Sequence, residues 1–351
     1  MRVMIIGGGV IGLSCAWHLA QKHAAVTLFE ARRCGQGASH AALGALWPPS
    51  PLATGPLQSW HRQCLHNYPE FLRQLAAASR LSVAYRRLGR VEILQSAAAA
   101  DRAAVEAQAS ARTMEVIAPP AVAAFAGGAA APFGGLLCRD TAQVDVAQLI
   151  AALHAACLAA GVEILEHTEA RLYHAGDQLR GVETAAGRRD ADALLLAAGA
   201  WSGTLAPLPG VRPAKGQGIA LALPAAAQPR GIVKRGPIYI VPWPERNEVL
   251  VGSTTEPAAG FAEEPTADAR AMLATAAADL LPALHGTTLL RHWAGLRPDG
   301  PRHRPIMAQA PDTPGLWLCT GHYKTGIGTC GDTGRRMARA ILHGEELPRW
   351  G

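Results

Sequence analysis

A glycine-rich turn near the N-terminus is the feature that most constrains the fold. The apolar run 3–6 before it predicts a buried parallel strand, and residues 13–20 after it predict a helix. The turn fits the pattern G-x-G-x-x-G and reads Gly7-Gly8-Gly9-Val10-Ile11-Gly12. In such a turn Gly7 allows a tight bend, Gly9 lets a pyrophosphate approach the backbone, and Gly12 lets the helix pack closely on the strand. The helix N-terminus then presents unpaired N–H groups to the phosphates.

An acidic residue follows at the spacing that this motif requires. Residues 25–29 form a second apolar run that ends in Glu30, 18 residues after Gly12. A carboxylate in this position grips a ribose hydroxyl of a dinucleotide. The alternative is an ordinary glycine-rich turn between a core strand and a helix. The motif alone does not choose between NAD and FAD.

The composition excludes several classes of protein. The chain has 351 residues, enough for two domains, and a net charge of +6. Its arginines are scattered and only 5% of its residues are aromatic, so no aromatic-lined basic stripe for nucleic acid is present. A mildly basic protein with an anionic cofactor and substrate explains the charge.

The cysteines and the apolar segments indicate a cytoplasmic protein without a metal. The seven cysteines are odd in number and no pair has C-x-x-C spacing, which argues against a disulfide framework or a zinc site. The thirteen histidines include no H-E-x-x-H. No signal peptide and no apolar span of 18 residues is evident, so a transmembrane helix is not expected.

Periodicity predicts several further elements. Residues 57–79 and 97–112 have helical patterns, and Asp145 is expected to cap a helix over 146–160. Ser39 is expected to cap a second helix over 39–46. Two segments are predicted to form a strand pair, 83–86 and 89–94. The end of the chain is predicted to form a glycine-rich loop at 322–328 followed by a helix over 331–343.

Several short motifs, all in the same order along the chain, resemble the FAD-dependent D-amino-acid oxidase and glycine oxidase family. Besides the N-terminal fingerprint, they are Gly37-Ala38-Ser39, Ala197–Ser202, Tyr239–Pro242, Trp293–Pro298, Arg304-Pro305-Ile306 and Gly321–Ile327. The resemblance covers nearly the whole chain. It implies an α/β fold with a discontinuous Rossmann-like FAD-binding domain and an α+β substrate domain built on an antiparallel sheet. We assign 1–82, 139–211 and 293–351 to the first domain, and 83–138 and 212–292 to the second.

The resemblance also implies roles for individual residues. Arg297 matches the arginine that clamps the substrate carboxylate, and Tyr239 matches the tyrosine that joins this clamp. Lys324 stands where the family has an arginine, so it keeps the charge but loses the fork geometry. The residues expected to bind noncovalent FAD are Gly7, Gly9, Val10, Ile11, Gly12, Glu30, Ala31, Gly37, Ala38, Ser39, Ala170, Gly199, Trp201, Gly321, Lys324, Gly326 and Ile327.

The implied activity is oxidative deamination of a small amino acid such as glycine, sarcosine or a small D-amino acid. Hydride would pass from the α-carbon to flavin N5, and oxygen would reoxidise the flavin to give an oxoacid, ammonia and hydrogen peroxide. The resemblance further suggests a role in thiamine synthesis and association of several copies. Three alternatives stay open: a flavin dehydrogenase that passes electrons to a quinone or partner subunit, a nicotinamide-dependent dehydrogenase, and a non-enzymatic dinucleotide-binding module.

Overall fold

The protein, described here from a computed structural model, is organised around two large β-sheets. The structure describes residues 1–206, 208 and 210–350. The strands within these residues are β1 Arg2–Ile6, β2 Ala25–Phe29, β3 Ala45–Leu46, β4 Tyr85–Arg86, β5 Arg90–Ile93, β6 Met114–Ile117, β7 Gly135–Cys138, β8 Ala142–Val144, β9 Glu163–Leu165, β10 Arg171–Ala175, β11 Gln178–Thr184, β12 Gly187–Asp190, β13 Ala193–Leu196, β14 Arg212–Ala222, β15 Ile232–Arg235, β16 Ile238–Trp243, β17 Glu248–Gly252, β18 Leu289–Asp299, β19 Ile306–Gln309 and β20 Leu316–Thr320. The helices are α1 Val10–Ala20, α2 Pro56–Ser79, α3 Ala97–Ala109, α4 Pro119–Ala126, α5 Val146–Ala159, α6 Ser202–Leu205, α7 Ala267–Leu280 and α8 Gly326–His343.

The first large sheet has the strand order β19-β20-β13-β1-β2-β9. All of its pairs are parallel except β19 with β20. Its central strands are continuous apolar runs because both faces are covered. Helices α1, α2, α5 and α8 pack on one face, and the small antiparallel sheet β10-β11-β12 covers the other. This is the predicted Rossmann-like arrangement, and it places the glycine-rich turn at the carboxyl end of β1.

The second large sheet has the order β18-β14-β17-β16-β15-β5-β7-β6. All of its pairs are antiparallel except β5 with β15. Helix α7 covers one face, where Leu273 and Ala277 pack on Ile219 and Val249. The predicted fold class, α/β with a second α+β part on an antiparallel sheet, is confirmed.

The division into two domains stays a prediction. One predicted boundary, at residue 293, falls inside β18, and the whole of Leu289–Asp299 belongs to the second large sheet. We therefore propose that this boundary lies after β18. The other predicted boundaries fall near ends of elements.

The predicted helix over 39–46 is wrong. Residues 34–41 form turns, and Ala45–Leu46 forms β3, which pairs with β8. Gly44 takes the left-handed conformation, with φ +77°, and a Cβ there would lie 2.1 Å from the carbonyl oxygen of Val144. A helix cannot pass through this residue while the backbone approaches β8 so closely. Ser39 instead accepts a hydrogen bond from the N–H of Val10, the first residue of α1, at 3.0 Å.

Two other predictions need correction. The segments 83–86 and 89–94 form strands, but β4 pairs with β8 and β5 lies between β15 and β7, so they are not a pair. The last helix begins at Gly326 rather than at 331. Its glycines reduce helix propensity but let the helix pack closely: a Cβ at Gly331 would lie 2.6 Å from the ring of Phe71. The predicted helices over 57–79, 97–112 and 146–160 are confirmed, each ending within three residues of the predicted limits.

Candidate active site

A large cavity, with a volume of about 710 Å³, lies between the two large sheets. One part of its wall comes from the glycine-rich turn and the ends of β1 and β2. Another part comes from the face of the second sheet that α7 does not cover. Most of the predicted site residues line it: Gly7, Gly9, Val10, Ile11, Glu30, Ala31, Gly37, Ala38, Ser39, Ala170, Gly199, Trp201, Tyr239, Arg297, Lys324, Gly326 and Ile327.

Gly12 and Gly321 do not line the cavity, and the reasons are structural. A Cβ at Gly12 would lie 1.9 Å from the carbonyl oxygen of Gly7, so its hydrogen allows α1 to pack against the turn. This is the role that the sequence predicts for the third glycine of the motif. Gly321 has φ +77°, and its backbone approaches that of Gly300 and Arg304. Both glycines therefore shape the wall without facing the cavity.

The glycine-rich end of the cavity fits a dinucleotide. Gly7 has φ +110°, and a Cβ there would lie 2.5 Å from the carbonyl oxygen of Ala197, so the tight turn requires glycine. The carboxylate of Glu30 accepts hydrogen bonds from the N–H groups of Gly8 at 2.7 Å and Arg32 at 2.9 Å. These bonds fix the carboxylate beside the turn, at the position where the motif places a ribose hydroxyl. The open N-terminus of α1 next to it suits a pyrophosphate.

The other end of the cavity is built around Arg297. Its guanidinium donates hydrogen bonds to the hydroxyl of Ser253 at 3.0 Å and to the carbonyl oxygen of Thr254 at 3.2 Å. A longer hydrogen bond, of 3.4 Å, goes to the backbone carbonyl oxygen of Lys215. All three acceptors are uncharged. Burial lowers the pKa of Arg297, because the charged form is removed from water. Among the described residues no carboxylate forms a salt bridge with this arginine, so the buried charge is available to an anion.

Tyr239 lies beside this arginine on the sheet. Its strand β16 pairs with β17, where Tyr239 stands opposite Gly252, next to Ser253. Burial raises the pKa of the phenol, which the nearby Arg297 charge and the Ser253 hydroxyl partly offset. The phenol is therefore protonated at neutral pH and can donate a hydrogen bond. The ring packs edge-on against Trp47, with centroids 5.1 Å apart.

Lys324 approaches from the loop before α8. The loop joins the end of β18, because the N–H of Tyr323 donates to the carbonyl oxygen of Pro298 at 2.8 Å. The ammonium of Lys324 lies 5.1 Å from the centroid of the Tyr323 ring and donates a hydrogen bond to the hydroxyl of Thr255 at 3.4 Å. Burial, then the charge of Arg297, lowers the pKa of Lys324. The cavity thus holds two neighbouring cations without carboxylate partners among the described residues.

Sequence reasoning missed several residues of the cavity wall. Lys234 on β15 lines the cavity next to Tyr239. The Gly236-Pro237 turn, which joins β15 to β16, is the sequence feature that could have identified it. His61 on α2 also lines the cavity, and burial lowers its pKa to about 4, so it is neutral at pH 7. Ser253 had no sequence signal, because only the pairing of β16 with β17 brings it to Arg297.

One group of side chains outside the cavity has the residue types of a metal site. The ligand atoms of Cys34, His154 and Glu166 all lie within 4.8 Å of one another. Glu166 accepts a hydrogen bond from the N–H of Cys34 at 2.7 Å. Burial and this carboxylate raise the pKa of the Cys34 thiol. The hydrogen bond accounts for the approach of Glu166 to Cys34.

Comparison with known proteins agrees with the geometry of the cavity. The FAD dependent oxidoreductase family matches residues 2–340. The chain belongs to this family.

Individual relatives cover nearly all of this family member. It is 35% identical to a glycine oxidase of Pseudomonas aeruginosa, over 93% of this chain and 90% of that protein. A bifunctional protein ThiO/ThiG of Synechocystis is 32% identical, over 93% of this chain and 49% of that protein. The crystal structure of glycine oxidase from Bacillus cereus superposes with a TM-score of 0.89 at 26% identity, over 98% of this chain and 96% of that one.

These findings confirm the predicted family, the FAD cofactor and the enzyme class, an FAD-dependent amino acid oxidoreductase. FAD rather than a nicotinamide is the cofactor, which removes one of the alternatives. A search of the described helices found none that is long and apolar enough to cross a membrane.

Proposed function

We propose that this enzyme oxidises a small amino acid to an oxoacid, with oxygen as the final electron acceptor. The observation that carries the proposal is the half-buried guanidinium of Arg297, whose hydrogen-bond acceptors among the described residues are all uncharged. A substrate carboxylate would supply the missing negative charge through a bidentate, charge-assisted hydrogen bond. The overall reaction would convert the amine, oxygen and water into an oxoacid, ammonia and hydrogen peroxide.

Different residues of the cavity would bind the cofactor and the substrate. Gly7, Gly9, Glu30 and the start of α1 would hold the dinucleotide part of FAD, and the N-terminus of α8 at Gly326 would face its ring. Bound FAD supplies the two-electron acceptor for the amine. Arg297 and the protonated phenol of Tyr239 would hold the carboxylate and so orient the α-carbon. Lys324 adds positive charge on the same side.

We do not assign a general base. The buried imidazole of His322 contacts Thr333 rather than the cavity's cations, with Nε2 3.3 Å from Oγ1. The substrate must lose its ammonium proton to water before oxidation, because only the free amine has the lone pair that assists loss of hydride. We therefore expect kcat/KM to rise with pH until the substrate amine is deprotonated.

Anaerobic titration of the purified, FAD-loaded protein tests the proposal. Glycine, sarcosine, D-alanine and D-proline would each be added while the flavin absorbance is followed, and peroxide would be assayed after air is admitted. Bleaching followed by peroxide formation supports an oxidase. Bleaching with slow reoxidation in air would instead favour a dehydrogenase that uses another acceptor. If no amino acid, including those with a charged side chain, bleaches the flavin, the proposal is wrong.

Two further parts of the proposal concern the cell. The name of the Synechocystis relative and the likeness to glycine oxidases support supply of an imine to thiamine synthesis. The replacement of the family's arginine by Lys324 leaves the substrate itself to be measured. A cytoplasmic location is supported by seven free cysteines, six of them buried.

A further inference from the structure

A third cation faces the cavity beside the proposed substrate clamp. Lys234 and Tyr239 are directly paired on the antiparallel strands β15 and β16, so their side chains point to the same face of the sheet. Paired Cβ atoms of this kind lie about 5 Å apart. Both residues line the cavity. Lys234 therefore stands next to Tyr239, on the side away from Arg297.

The ion pair of Lys234 leaves its positive charge on the cavity side. The ammonium is paired with Glu92, its neighbour on β5, but Glu92 does not line the cavity. Glu92 also lies 3.8 Å from the guanidinium of Arg90. The three side chains together carry a net charge of +1. Because Lys234 lines the cavity and Glu92 does not, the cavity wall presents the cation.

The aromatic side chains of Trp47 and Tyr239 lie beside Lys234 and Arg90, and these surroundings favour a negatively charged substrate group. The guanidinium of Arg90 lies over the ring of Trp47, 5.0 Å from its centroid, and Trp47 packs edge-on against Tyr239. An apolar substrate group placed here would desolvate Lys234 without replacing its lost hydration. A carboxylate would form a charge-assisted hydrogen bond in the same place.

We propose, on the basis of the function proposed above, that the substrate carries a second carboxylate, which Lys234 recognises. The first carboxylate would lie between Arg297 and Tyr239, over β17 and β16. Lys234 is two strands from β17, roughly 10 Å along the sheet at the backbone. An amino dicarboxylate of the size of aspartate or glutamate spans this interval together with the lysine side chain. The second carboxylate would be attached either to the α-carbon or to the amine nitrogen.

The test compares acids with their uncharged amides. Flavin reduction would be measured anaerobically with aspartate and glutamate, as both enantiomers, and with asparagine and glutamine. A second arm would compare N-(2-carboxyethyl)glycine with its amide, which distinguishes attachment at nitrogen from attachment at carbon. We expect the acid to be preferred by roughly tenfold or more in one of these arms.

Variants assign the preference to Lys234. Lys234→Met keeps the length of the side chain and should remove most of the preference while leaving reaction with the amide in place. Lys22→Met, at an exposed position after α1, is the matched control and should change nothing. The double variant Lys234→Glu with Glu92→Lys keeps an ion pair but reverses the charge that faces the cavity. It should favour the amide over the acid.

The outcomes separate this inference from the function on which it rests. If no amino acid reduces the flavin, the proposed function is wrong. If amides and acids react equally well and Lys234→Met leaves their ratio unchanged, the proposed function stands and the role of Lys234 is wrong. A preference for the acid that persists in the charge-reversed variant would also contradict the role of Lys234.

Discussion

The guanidinium of Arg297 lies directly over Gly216 on the neighbouring strand. A Cβ at Gly216 would stand 2.1 Å from each of the two terminal nitrogens of Arg297. The pairing of β14 with β18 places Gly216 opposite Gly295, two residues from Arg297 on the same face. Because Gly216 has no side chain, the guanidinium can occupy the space next to its Cα. The arginine can therefore reach from β18 over β14 to Ser253, which follows β17.

Replacement of Gly216 by alanine should displace Arg297 and weaken the carboxylate clamp. We expect a loss of about 1.5–3 kcal/mol in transition-state binding, as for removal of charged hydrogen bonds, seen mainly as a higher KM. If Gly216 acts only through the arginine, the double variant with Arg297→Ala should lose no more than Arg297→Ala alone. Steady-state kinetics of the three variants would give this comparison.

The neighbouring Gly218 offers a matched control. A Cβ there would lie 3.1 Å from Cζ2 of Trp293, a milder approach to a side chain outside the clamp. Gly218→Ala should therefore keep most of the activity. Equal losses in Gly216→Ala and Gly218→Ala would mean that strain in the sheet, and not the position of Arg297, causes both.

Two glycines of the N-terminal turn should behave differently when replaced by alanine. A Cβ at Gly9 would be 3.4 Å from the Ser39 hydroxyl, so Gly9→Ala should fold with nearly normal Tm. Its FAD affinity should fall, because the methyl group occupies the place where the pyrophosphate approaches the backbone. Gly12→Ala should be unstable with or without FAD, since its Cβ would collide with the Gly7 carbonyl. Thermal unfolding of apoprotein and fluorescence titration with FAD measure both effects, and an unchanged affinity of Gly9→Ala would contradict the assignment.

The sequence predicts the parts of this molecule in which local pattern and tertiary contacts agree. The turn at Gly7–Gly12 and the capped helix after Asp145 formed as expected, because each depends on residues close in sequence. The prediction of a helix over 39–46 is wrong because the backbone at Gly44 passes close to β8. The early start of α8 depends on contacts with Leu65 and Phe71 on α2, which no pattern within residues 322–331 reveals.

The candidate site shows the same division. Arg297 and Tyr239 were predicted from family motifs, whereas Gly216 and Ser253 become meaningful only through the register of β14 and β17 with their neighbours. Lys234 could have been predicted from the sequence, because counting back from the Gly236-Pro237 turn places it opposite Tyr239. The hairpin was not predicted, since its first strand is only four residues long. Sheet register, rather than composition, is what sequence reasoning lacked.

The ammonium of Lys324 should cause a loss of substrate affinity at high pH. Burial and the charge of Arg297 lower its pKa, so the lysine loses its proton at a lower pH than a lysine surrounded by water does. As pH rises through this value, attraction for the substrate carboxylate falls. Lys324→Arg keeps its charge over this range, so the ratio of wild-type to variant kcat/KM should decline with pH, and titration of the substrate amine cancels in the ratio. A ratio that stays flat to pH 10 would remove Lys324 from the clamp.

The buried imidazole of His322 should make the folded state sensitive to mild acid. Its side chain is buried in the folded protein, and burial lowers its pKa from 6.5 to about 4. Between these values the unfolded chain binds a proton that the folded chain excludes, so this contribution to stability is complete above about pH 6.5, falls as pH drops from 6.5 to 4, and is lost below 4. The full effect is on the order of 3 kcal/mol. His322→Gln cannot titrate, and urea unfolding at several pH values should show a shallower loss of stability between pH 7 and 5 than in the wild type. His18 and His61 titrate in both proteins, so parallel curves would show that His322 takes no part.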